Sequence, residues 1–215
     1  MFTGIIEEIG RIEQLRSLGE GVRLSITAPR LGPQLSVNDS ISINGVCQTV
    51  VDKRGHAFDV VAVEETLKKT TFSGLSERDA VNLELPMKLD GRFGGHLVLG
   101  HVDTVGSVDA IEQRENSWMF TISFPAKFQR YIVPVGSVCV DGVSLTVAEL
   151  HRDAFKVSII PHTMENTIFQ HYRKKSDVNL EFDVVGKYVE RLLAGEGTAD
   201  GRRLFIEQYP PQAGT

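Results

Sequence analysis

Three side chains that could carry out catalytic chemistry lie where two matched parts of this chain differ. A thiol, Cys47, stands opposite Ser144, an imidazole, His101, stands opposite Ile5, and the carboxylate of Asp183 stands opposite a proline. A thiolate is a nucleophile when a nearby cation or dipole lowers its pKa, and an imidazole is a base near neutral pH. A carboxylate can hold a proton or orient a nucleophile. These one-sided residues are the candidates for acid–base or nucleophilic chemistry.

Each candidate also has a purely structural interpretation. Cys47 fits a small buried hydrophobe, His101 a structural histidine, and Asp183 a cap at a strand-to-helix junction. Ser144 lacks the Gly-x-Ser-x-Gly elbow of many hydrolases, which argues against a hydrolase triad. His96 and His101 would point to opposite faces of a strand, so a metal site is not expected.

Two copies of one pattern position these residues. The segment Asn44–Val50 returns as Asp141–Val147, and Val81–Glu84 returns as Val178–Glu181, each 97 residues later. This period exceeds the roughly 20 to 50 residues of a solenoid unit and matches the size of a domain. The sequence therefore predicts duplication of a whole domain, with two similar pockets that have diverged in role.

Length, composition and charge set broad limits. With 215 residues and 41% hydrophobic content, the chain is long enough for two small domains with apolar cores. A net charge of -5 argues against a sequence-independent grip on nucleic acid. The N-terminus lacks the features of a signal peptide, and no apolar stretch is long enough for a membrane span. We expect a cytoplasmic protein without nucleic acid or membrane partners. A disulfide framework is not expected, since there are only two cysteines.

The pattern within each copy is typical of an all-β domain. Runs such as Val22–Ile26 are short, β-branched and alternating, and turns such as Gly19–Gly21 separate them. Each copy holds about six such runs, which favours a small closed or nearly closed antiparallel barrel. Helical interruptions are expected after Glu65–Leu67 and after His162–Met164, where Thr163 could cap a turn.

A helical pattern starts after Asp183. Apolar residues recur at helical spacing in Val184, Val185, Tyr188, Val189, Leu192 and Leu193. This predicts an amphipathic helix over 184–195 whose apolar stripe must cover a barrel or join partner helices. Residues 196–215 are rich in Gly, Pro and polar groups, which predicts a loose tail.

The combined motifs resemble the riboflavin synthase family. The resemblance runs from Met1 to about Leu193 and rests on five segments in order, namely Met1–Glu7, Asn44–Cys47, Gly94–Asp103, Asp141–Val147 and Asn179–Asp183. It implies a mainly β fold of two tandem six-stranded Greek-key β-barrels related by internal duplication, plus a C-terminal α-helix. The implied domains are an N-terminal lumazine-binding barrel (1–96), a C-terminal lumazine-binding barrel (97–183), a trimerisation helix (184–195) and a loose tail (196–215).

The resemblance also implies an activity. In this family two molecules of 6,7-dimethyl-8-ribityllumazine dismutate to riboflavin and 5-amino-6-ribitylamino-2,4(1H,3H)-pyrimidinedione, in the final step of riboflavin biosynthesis. A four-carbon unit passes from one lumazine to the other without an added cofactor or metal. The family builds its active site from the first barrel of one subunit and the second barrel of its neighbour in a homotrimer. Association with a lumazine synthase capsid occurs in the family, but the sequence shows no docking feature for it.

Carried over onto matching positions, the resemblance assigns the site residues. The catalytic candidates are Cys47, His101, Ser144, Asp183 and Ser40. The first pocket would use Cys47, Gln48, Thr49, Val61, Ala62, Val63, Glu64, Glu65, Thr66, His101, Val102 and Asp103. The second pocket would use Gly4, Ile5, Ile6, Ser144, Leu145, Thr146, Ser158, Ile159, Ile160, Pro161, His162 and Thr163, with Val135 facing the shared pocket.

The roles implied for the catalytic candidates differ. His101, or a water that it orients, would take a proton from the 7-methyl group of one lumazine. Ser144 or Cys47 would hold or attack the other ring, and Asp183 would stabilise a proton or orient a nucleophile across the subunit interface. Close face-to-face placement of the two rings would contribute most to the rate, because orienting the reactants can lower the activation barrier by about 7 to 11 kcal/mol.

Two departures from the family pattern bear on the alternatives. Val135 stands where the family usually carries Lys, which removes a cation from the shared pocket, and Leu99 stands where Gln or Ser is common. The main alternative is a non-catalytic lumazine- or flavin-binding antenna protein, which Thr70–Phe72 and Val135 favour slightly. Against it, the chain combines all the one-sided candidates with the C-terminal helix, whereas an antenna needs only one good pocket. A flavin-reductase-like barrel would need a nicotinamide site, which the sequence lacks.

Overall fold

Two closed antiparallel β-barrels make up most of the molecule, which confirms the predicted fold class. The computed structural model describes residues 1–88 and 90–193. The strands of the first barrel are β1 (Glu8–Leu18), β2 (Gly21–Thr27), β3 (Ser40–Ile43), β4 (Val46–Arg54), β5 (Ala57–Ala62) and β6 (Ala80–Glu84). The strands of the second barrel are β7 (Thr104–Gln113), β8 (Trp118–Ser123), β9 (Ser137–Val140), β10 (Val143–Leu150), β11 (Ala154–Ile159) and β12 (Asp177–Phe182). The order is β1-β2-β5-β4-β3-β6 around the first barrel, and the second barrel repeats it.

The strands β4 and β10 place alternate residues on opposite faces of the barrel wall. Val46 and Val50 are buried in the core of the first barrel, whereas Cys47 is half-buried. Ser144 is half-buried at the matched position of β10. Because side chains alternate along a strand, the two candidate nucleophiles lie on the outer face of the wall. Gln48 is buried on the face opposite to Cys47, with the core residues.

The barrels meet where the turns β3–β4 and β9–β10 touch. Gly45 and Gly142 have φ angles of 75° and 84°, and a Cβ added to Gly45 would lie 2.7 Å from the backbone nitrogen of Gly142. Only glycine accepts both this backbone conformation and this closeness. Asn82 Nδ2 donates to the carbonyl of Asp141 at 2.9 Å, and Asn179 donates in the same way to the first barrel. These buried contacts fix one barrel against the other.

Short helices follow the fifth strand of each barrel and start earlier than predicted, since they include the residues after which they were expected. Helix α1 spans Glu64–Lys69 and α2 spans Pro161–Asn166. The predicted cap at Thr163 is wrong, because α2 begins after Ile160 and has no side-chain cap. The fixed φ angle of proline suits the first position of a helix, so α2 starts at Pro161, three residues earlier than a cap at Thr163 would place it.

The C-terminal helix α3 spans Val184–Leu193 and begins at a side-chain cap. Asp183 Oδ1 accepts the backbone N–H of Val185 at 2.9 Å, which confirms the capping interpretation of Asp183. Tyr188 is 68% exposed and Leu192 is 77% exposed, so the apolar stripe does not cover a barrel of its own chain. The predicted end of the helix at residue 195 and the tail 196–215 lie outside the described residues. No helix in the described part of the chain is long and apolar enough to cross a lipid bilayer.

Candidate active site

Short segments that precede the first strand of each barrel cross over to the other barrel. We call residues 1–6 and 97–102 the crossing segments. They pair with each other, since Phe2 N donates to the carbonyl of Val98 at 2.7 Å and Val98 N donates to the carbonyl of Phe2 at 3.1 Å. Ile6 then packs against the core of the second barrel, and Val102 packs against the core of the first. Each barrel is therefore completed by a segment from the other half of the chain.

Cys47 lies beneath the second crossing segment. Its backbone N–H donates to the carbonyl of Gly100 at 2.9 Å. Gly100 has a φ angle of 78°, and a Cβ added to it would lie 2.6 Å from Cys47 Cβ. The thiol packs beside Phe2, Val98 and Cys139 in a small apolar cluster. Both cysteines are free, as the sequence predicted.

Ser144 lies in the matching position beneath the first crossing segment. Its backbone N–H donates to the carbonyl of Gly4 at 2.8 Å. Gly4 also has a φ angle of 78°, and a Cβ added to it would lie 2.6 Å from Ser144 Cβ. The structure therefore groups Gly4 with Ser144, and Gly100 with Cys47, in two similar arrangements.

Two buried glutamates hold the crossing segments in place. Glu84, at the end of β6, accepts hydrogen bonds from the backbone N–H and hydroxyl of Thr3, both at 2.7 Å, and from the N–H of Gly4 at 3.0 Å. Glu181, in β12, accepts the N–H groups of Leu99, Gly100 and His101 at 2.6 to 3.0 Å. Burial raises the pKa of each carboxyl, and the hydrogen bonds that each accepts oppose this rise.

His96 is a buried imidazole beside Ser144. Its Nδ1 lies 2.7 Å from Ser144 Oγ, and its backbone N–H donates to the carbonyl of Thr3 at 3.1 Å. Burial lowers the pKa of His96, and the negative charge of Asp183 opposes this effect. The imidazole is therefore neutral at pH 7, and Nδ1 can accept the Ser144 hydroxyl proton in a hydrogen bond.

His101 lies near the end of the second crossing segment, and Asp103, just after that segment, contacts helix α3. The side chain of His101 is exposed in the single chain. Asp103 Oδ2 accepts the N–H of Phe182 at 2.8 Å and forms an ion pair with Lys187 Nζ at 2.6 Å. Lys187 belongs to α3, so this helix is tied directly to the segment that covers Cys47.

The remaining predicted pocket residues lie on elements next to β4 and β10. Val61–Thr66 and Ser158–Thr163 end strands β5 and β11, which pair with β4 and β10. Neither segment forms a hydrogen bond to the Cys47 or Ser144 side chain in the described structure. Ser40 pairs with Thr49, and Ser137 with Thr146, across the same strand pairs. Leu145 belongs to the core of the second barrel.

Val135 lies in the loop before β9, beside a groove that also contains Asp183. Its side chain is 79% exposed and its φ angle is 64°, an unusual conformation for a β-branched residue. The groove has a volume of about 610 Å³ and runs between α3 and the loop from Arg130 to Ser137. The described residues leave this face open to solvent.

A larger cleft lies elsewhere between the barrels. It has a volume of about 760 Å³ and is lined by residues such as Arg11, Lys68, Arg78 and Tyr172. None of the four residues Cys47, His101, Ser144 and Asp183 lines it. We favour the region of the crossing segments as the candidate active site, because an imidazole and a hydroxyl meet there, with His96 Nδ1 2.7 Å from Ser144 Oγ. Within the described ranges, no three His, Cys, Asp or Glu side chains are placed to hold a metal ion.

His96 is the site residue that comparison of the two copies did not reveal. The alignment pairs Gly4 with Gly100 and Met1 with Leu97, which leaves His96 outside both copies. From the sequence, the only functional role open to His96 is metal binding together with His101, and their placement on one predicted strand argues against that role. In the structure neither histidine lies in a named strand, and they belong to different sites.

Comparisons of sequence agree with the duplicated barrel. The family described as "Lumazine binding domain" matches residues 3–86 and 99–183. The riboflavin synthase of Actinobacillus pleuropneumoniae is 40% identical over 214 residues, covering 100% of both chains. The riboflavin synthase of Bacillus subtilis is 41% identical over 193 residues, covering 90% of each chain. That of Mycobacterium tuberculosis is 43% identical over 201 residues, covering 92% of this chain and 100% of the relative.

Comparisons of structure find the same architecture with bound ligands. The crystal structure of LumP complexed with riboflavin superposes with a TM-score of 0.79 at 25% identity, covering 85% of this chain and 99% of that chain. LumP complexed with 6,7-dimethyl-8-(1'-D-ribityl) lumazine gives a TM-score of 0.77 with the same coverage. In LumP, therefore, this fold binds both a lumazine and a flavin.

Proposed function

Because this chain belongs to the riboflavin synthase family, we propose that it converts two molecules of 6,7-dimethyl-8-ribityllumazine into riboflavin and 5-amino-6-ribitylamino-2,4(1H,3H)-pyrimidinedione. The enzyme is a transferase, since a four-carbon unit passes between the two lumazines. One observation carries this proposal. Crossing segments of the same backbone form cover two matched strands that carry different chemical groups, Cys47 on β4 and Ser144, with His96 beside it, on β10.

This asymmetry suits a reaction between two identical substrates. Each barrel can bind one lumazine, because the two walls have the same strands and register. The reaction needs a donor and an acceptor, so the groups that touch the two rings must differ. Close and oriented placement of the two rings supplies a large part of the rate gain, since it removes the entropic cost of their encounter.

In the first pocket, we place a lumazine against the outer face of β4. Cys47 and Thr49 point from this face. In this proposal the segment Val61–Thr66, which joins β5 to α1, closes one side. Backbone groups there can hydrogen-bond the pyrimidinedione edge, and hydroxyls can bind the ribityl chain. His101, or a water bound to it, takes a proton from the 7-methyl group. Its exposure in the single chain leaves it free to reach such a substrate.

In the second pocket, we place the other lumazine against β10. Ser144 and Thr146 point from its outer face and Gly4–Ile6 lie alongside. In this proposal the segment Ser158–Thr163, which joins β11 to α2, closes the opposite side. Asp183 lines the groove along α3, and Val135 precedes Gly136, which also lines that groove. Asp183 and Val135 would meet the first barrel of a neighbouring subunit.

We propose a homotrimer whose active sites lie between subunits. The exposed apolar residues of α3, including Tyr188 and Leu192, support a helix that packs against its copies. The chain is then divided into a first barrel (1–96), a second barrel (97–183), a trimerisation helix (184–195) and the tail. A cytoplasmic location, association with a lumazine synthase, and no need for a cofactor, a nucleic acid or a membrane complete the proposal.

A lumazine- or flavin-binding antenna remains the second candidate function, because the LumP structures share this fold. The LumP match has 25% identity, whereas the riboflavin synthases match at 40% or more over at least 90% of this chain. An antenna should bind one ligand per chain and return it unchanged. An enzyme should bind two and consume them.

The deciding experiment is incubation of the purified protein with 6,7-dimethyl-8-ribityllumazine and no added cofactor. Riboflavin is followed by absorbance and the pyrimidinedione by chromatography. Equal amounts of the two products, with two lumazines consumed for each riboflavin, support the enzyme. Recovery of unchanged ligand with altered fluorescence and one ligand per chain would establish the antenna instead.

A further inference from the structure

His96 is placed to receive a proton from Ser144. Its Nδ1 lies 2.7 Å from Ser144 Oγ, within normal hydrogen-bond distance. The hydroxyl donates, because the neutral imidazole can present one unprotonated nitrogen. The backbone N–H of His96 donates to the carbonyl of Thr3 at 3.1 Å, and Gly4, the next residue after Thr3, accepts the N–H of Ser144. His96 and Gly4 therefore contact Ser144 while joined to each other through Thr3.

Among the described residues, the second imidazole nitrogen of His96 has no hydrogen-bond partner. His96 is only 7% exposed, and its Nε2 is buried without a hydrogen bond in the described structure. If Nδ1 accepts from Ser144, Nε2 carries the proton and is a buried donor. A buried donor without an acceptor is unfavourable, so its presence in a folded protein calls for an explanation.

Burial lowers the pKa of His96, and the negative charge of Asp183 opposes this fall and favours the imidazolium form. One of its oxygens caps α3, and Asp183 Oδ2 has no hydrogen bond in the described structure. Asp183 is the only charged group whose effect on the pKa of His96 is resolved among the described residues.

Cys47 has no equivalent arrangement. It occupies the position that matches Ser144, and the crossing segment above it has the same form. Among the described residues, none forms a hydrogen bond with the thiol. Of the two candidate nucleophiles, only Ser144 therefore has a built-in proton acceptor.

We propose that Ser144 is the nucleophile of the second pocket and that His96 is the positioning residue that takes its proton, with Asp183 stabilising the resulting imidazolium. This inference rests on the proposed function. In the step, Ser144 Oγ forms a bond to an electron-poor ring carbon of the bound lumazine, and the π electrons of that carbon move into the conjugated pyrimidinedione. The hydroxyl proton moves to His96 Nδ1. When the bond between Oγ and carbon breaks later, the electrons return and Oγ recovers the proton.

His96→Asn and His96→Ala separate proton transfer from simple support. The amide oxygen of Asn can stand near Nδ1 and accept the Ser144 hydrogen bond, but it cannot take the proton. We expect kcat to fall at least about 100-fold in both variants, with KM changed by less than about threefold. Exogenous imidazole should restore part of the activity of His96→Ala. His151→Asn, an exposed histidine on the second barrel, is the matched control and should keep full activity.

The pH profile supplies a readout that a structural role would not change. Because His101 is a second proposed base, the profiles are compared in proteins that all carry His101→Asn. There kcat should fall at acid pH as His96 becomes protonated, and this acid limb should disappear when His96→Asn is added. An unchanged kcat and an unchanged acid limb on adding His96→Asn would overturn the proposal. If the histidine variants do not fold, Ser144→Ala offers an independent test, since it leaves His96 in place. Loss of the acid limb and a similar fall in kcat are expected, and an intact limb would refute the assignment. Absence of turnover in the wild type would instead refute the proposed function.

Discussion

Gly100 lies so close to Cys47 that a Cβ on the glycine would come within 2.6 Å of Cys47 Cβ. The carbonyl of the same glycine accepts the N–H of Cys47 at 2.9 Å. Gly4 and Ser144 repeat the relationship in the other barrel. The outer faces of β4 and β10 are therefore shaped by main chain from the opposite half of the molecule.

Gly100→Ala should displace the second crossing segment from Cys47. The methyl group meets both a positive φ angle and a steric clash, so we expect a loss of about 2 to 4 kcal/mol in the free energy of unfolding. Riboflavin formation should fall at least about tenfold, because His101 lies on the displaced segment. Urea unfolding and steady-state kinetics measure the two effects.

Gly19→Ala is the matched control for this substitution. Gly19 has a φ angle of 61°, but no atom lies within 4 Å of its added Cβ. The free energy of unfolding of Gly19→Ala should fall by about 1 kcal/mol, from the strained backbone conformation alone. Equal losses in the two variants would show that the close approach to Cys47 has no effect on stability.

Lys187→Met should loosen the link between α3 and the first pocket. The ion pair of Lys187 with Asp103 at 2.6 Å is largely shielded, with the two side chains 26% and 18% exposed. We expect a loss of about 1 to 2 kcal/mol in unfolding free energy and a fall in kcat of several fold. The cause is increased freedom of the segment that carries His101.

Lys69→Met tests whether burial of an ion pair determines how much its loss reduces stability and activity. Lys69 pairs with Glu65 at the same distance of 2.6 Å, but the side chains are 61% and 66% exposed. Its stability should change by less than about 0.5 kcal/mol. A catalytic effect as large as that of Lys187→Met would contradict the proposed link through Asp103.

Much of the fold could be predicted from the sequence, because a repeated motif indicates a repeated domain. Alternating runs such as Val22–Ile26 predicted strands, and the spacing of apolar residues after Asp183 predicted α3. A helix cap at Thr163 failed because Pro161 fixes the start of α2 earlier. Local patterns compete in this way, and the residue with the more restricted backbone prevails.

The site was harder to predict than the fold. Matching the copies revealed groups that differ between them, but His96 lies between the copies and was therefore never compared. The spacing of apolar residues could not predict the reciprocal crossing either, since Ile6 and Val102 would be apolar whichever barrel they packed against. Which core a short segment joins depends on tertiary contacts, such as the hydrogen bonds to Glu84 and Glu181.

Leu192→Asp should separate the proposed trimer into single chains. The side chain is 77% exposed in the monomer, so the substitution should leave each barrel folded. Burial of a carboxylate against partner helices would be unfavourable, which should prevent assembly. We expect a molar mass of one chain by light scattering, retained lumazine binding, and turnover reduced at least about 100-fold.

The control for the helix variant is a charge placed on another exposed apolar residue. Val37→Asp lies in the loop before β3, where the side chain is 48% exposed. It should leave both the assembly state and turnover unchanged. Full activity of a monomeric Leu192→Asp protein would show that one chain contains a complete active site.

Asp141 should make the stability of the protein depend on pH. Burial raises its pKa to about 7, although hydrogen bonds from Tyr172 and from Asn179 oppose the rise. The native pKa lies above the ordinary value of 3.8, so the native state binds more protons than the unfolded state between these values. The stabilisation from this group is therefore fully present below about pH 4 and is lost as the pH rises through about 7.

Asp141→Asn tests this dependence, because Asn44 occupies the matched position of the first barrel. Asn44 Oδ1 accepts the N–H of Asn82 at 2.7 Å, just as Asp141 accepts that of Asn179 at 2.9 Å. An amide at position 141 can keep this bond and donate to the Tyr172 oxygen. Between pH 4 and pH 8, the free energy of unfolding of the variant should rise by about 1 to 3 kcal/mol relative to that of the wild type. Urea unfolding at each pH measures this difference.

The reverse substitution, Asn44→Asp, supplies the matched comparison. The first barrel has Leu75 at the position that matches Tyr172, so a new carboxylate there would lack a hydroxyl donor. It should lose more stability on going from pH 4 to pH 8 than the wild type does, since a buried carboxylate with fewer donors ionises at greater cost. Parallel stability curves for Asp141→Asn, Asn44→Asp and wild type would show that neither position titrates in the native state over this range.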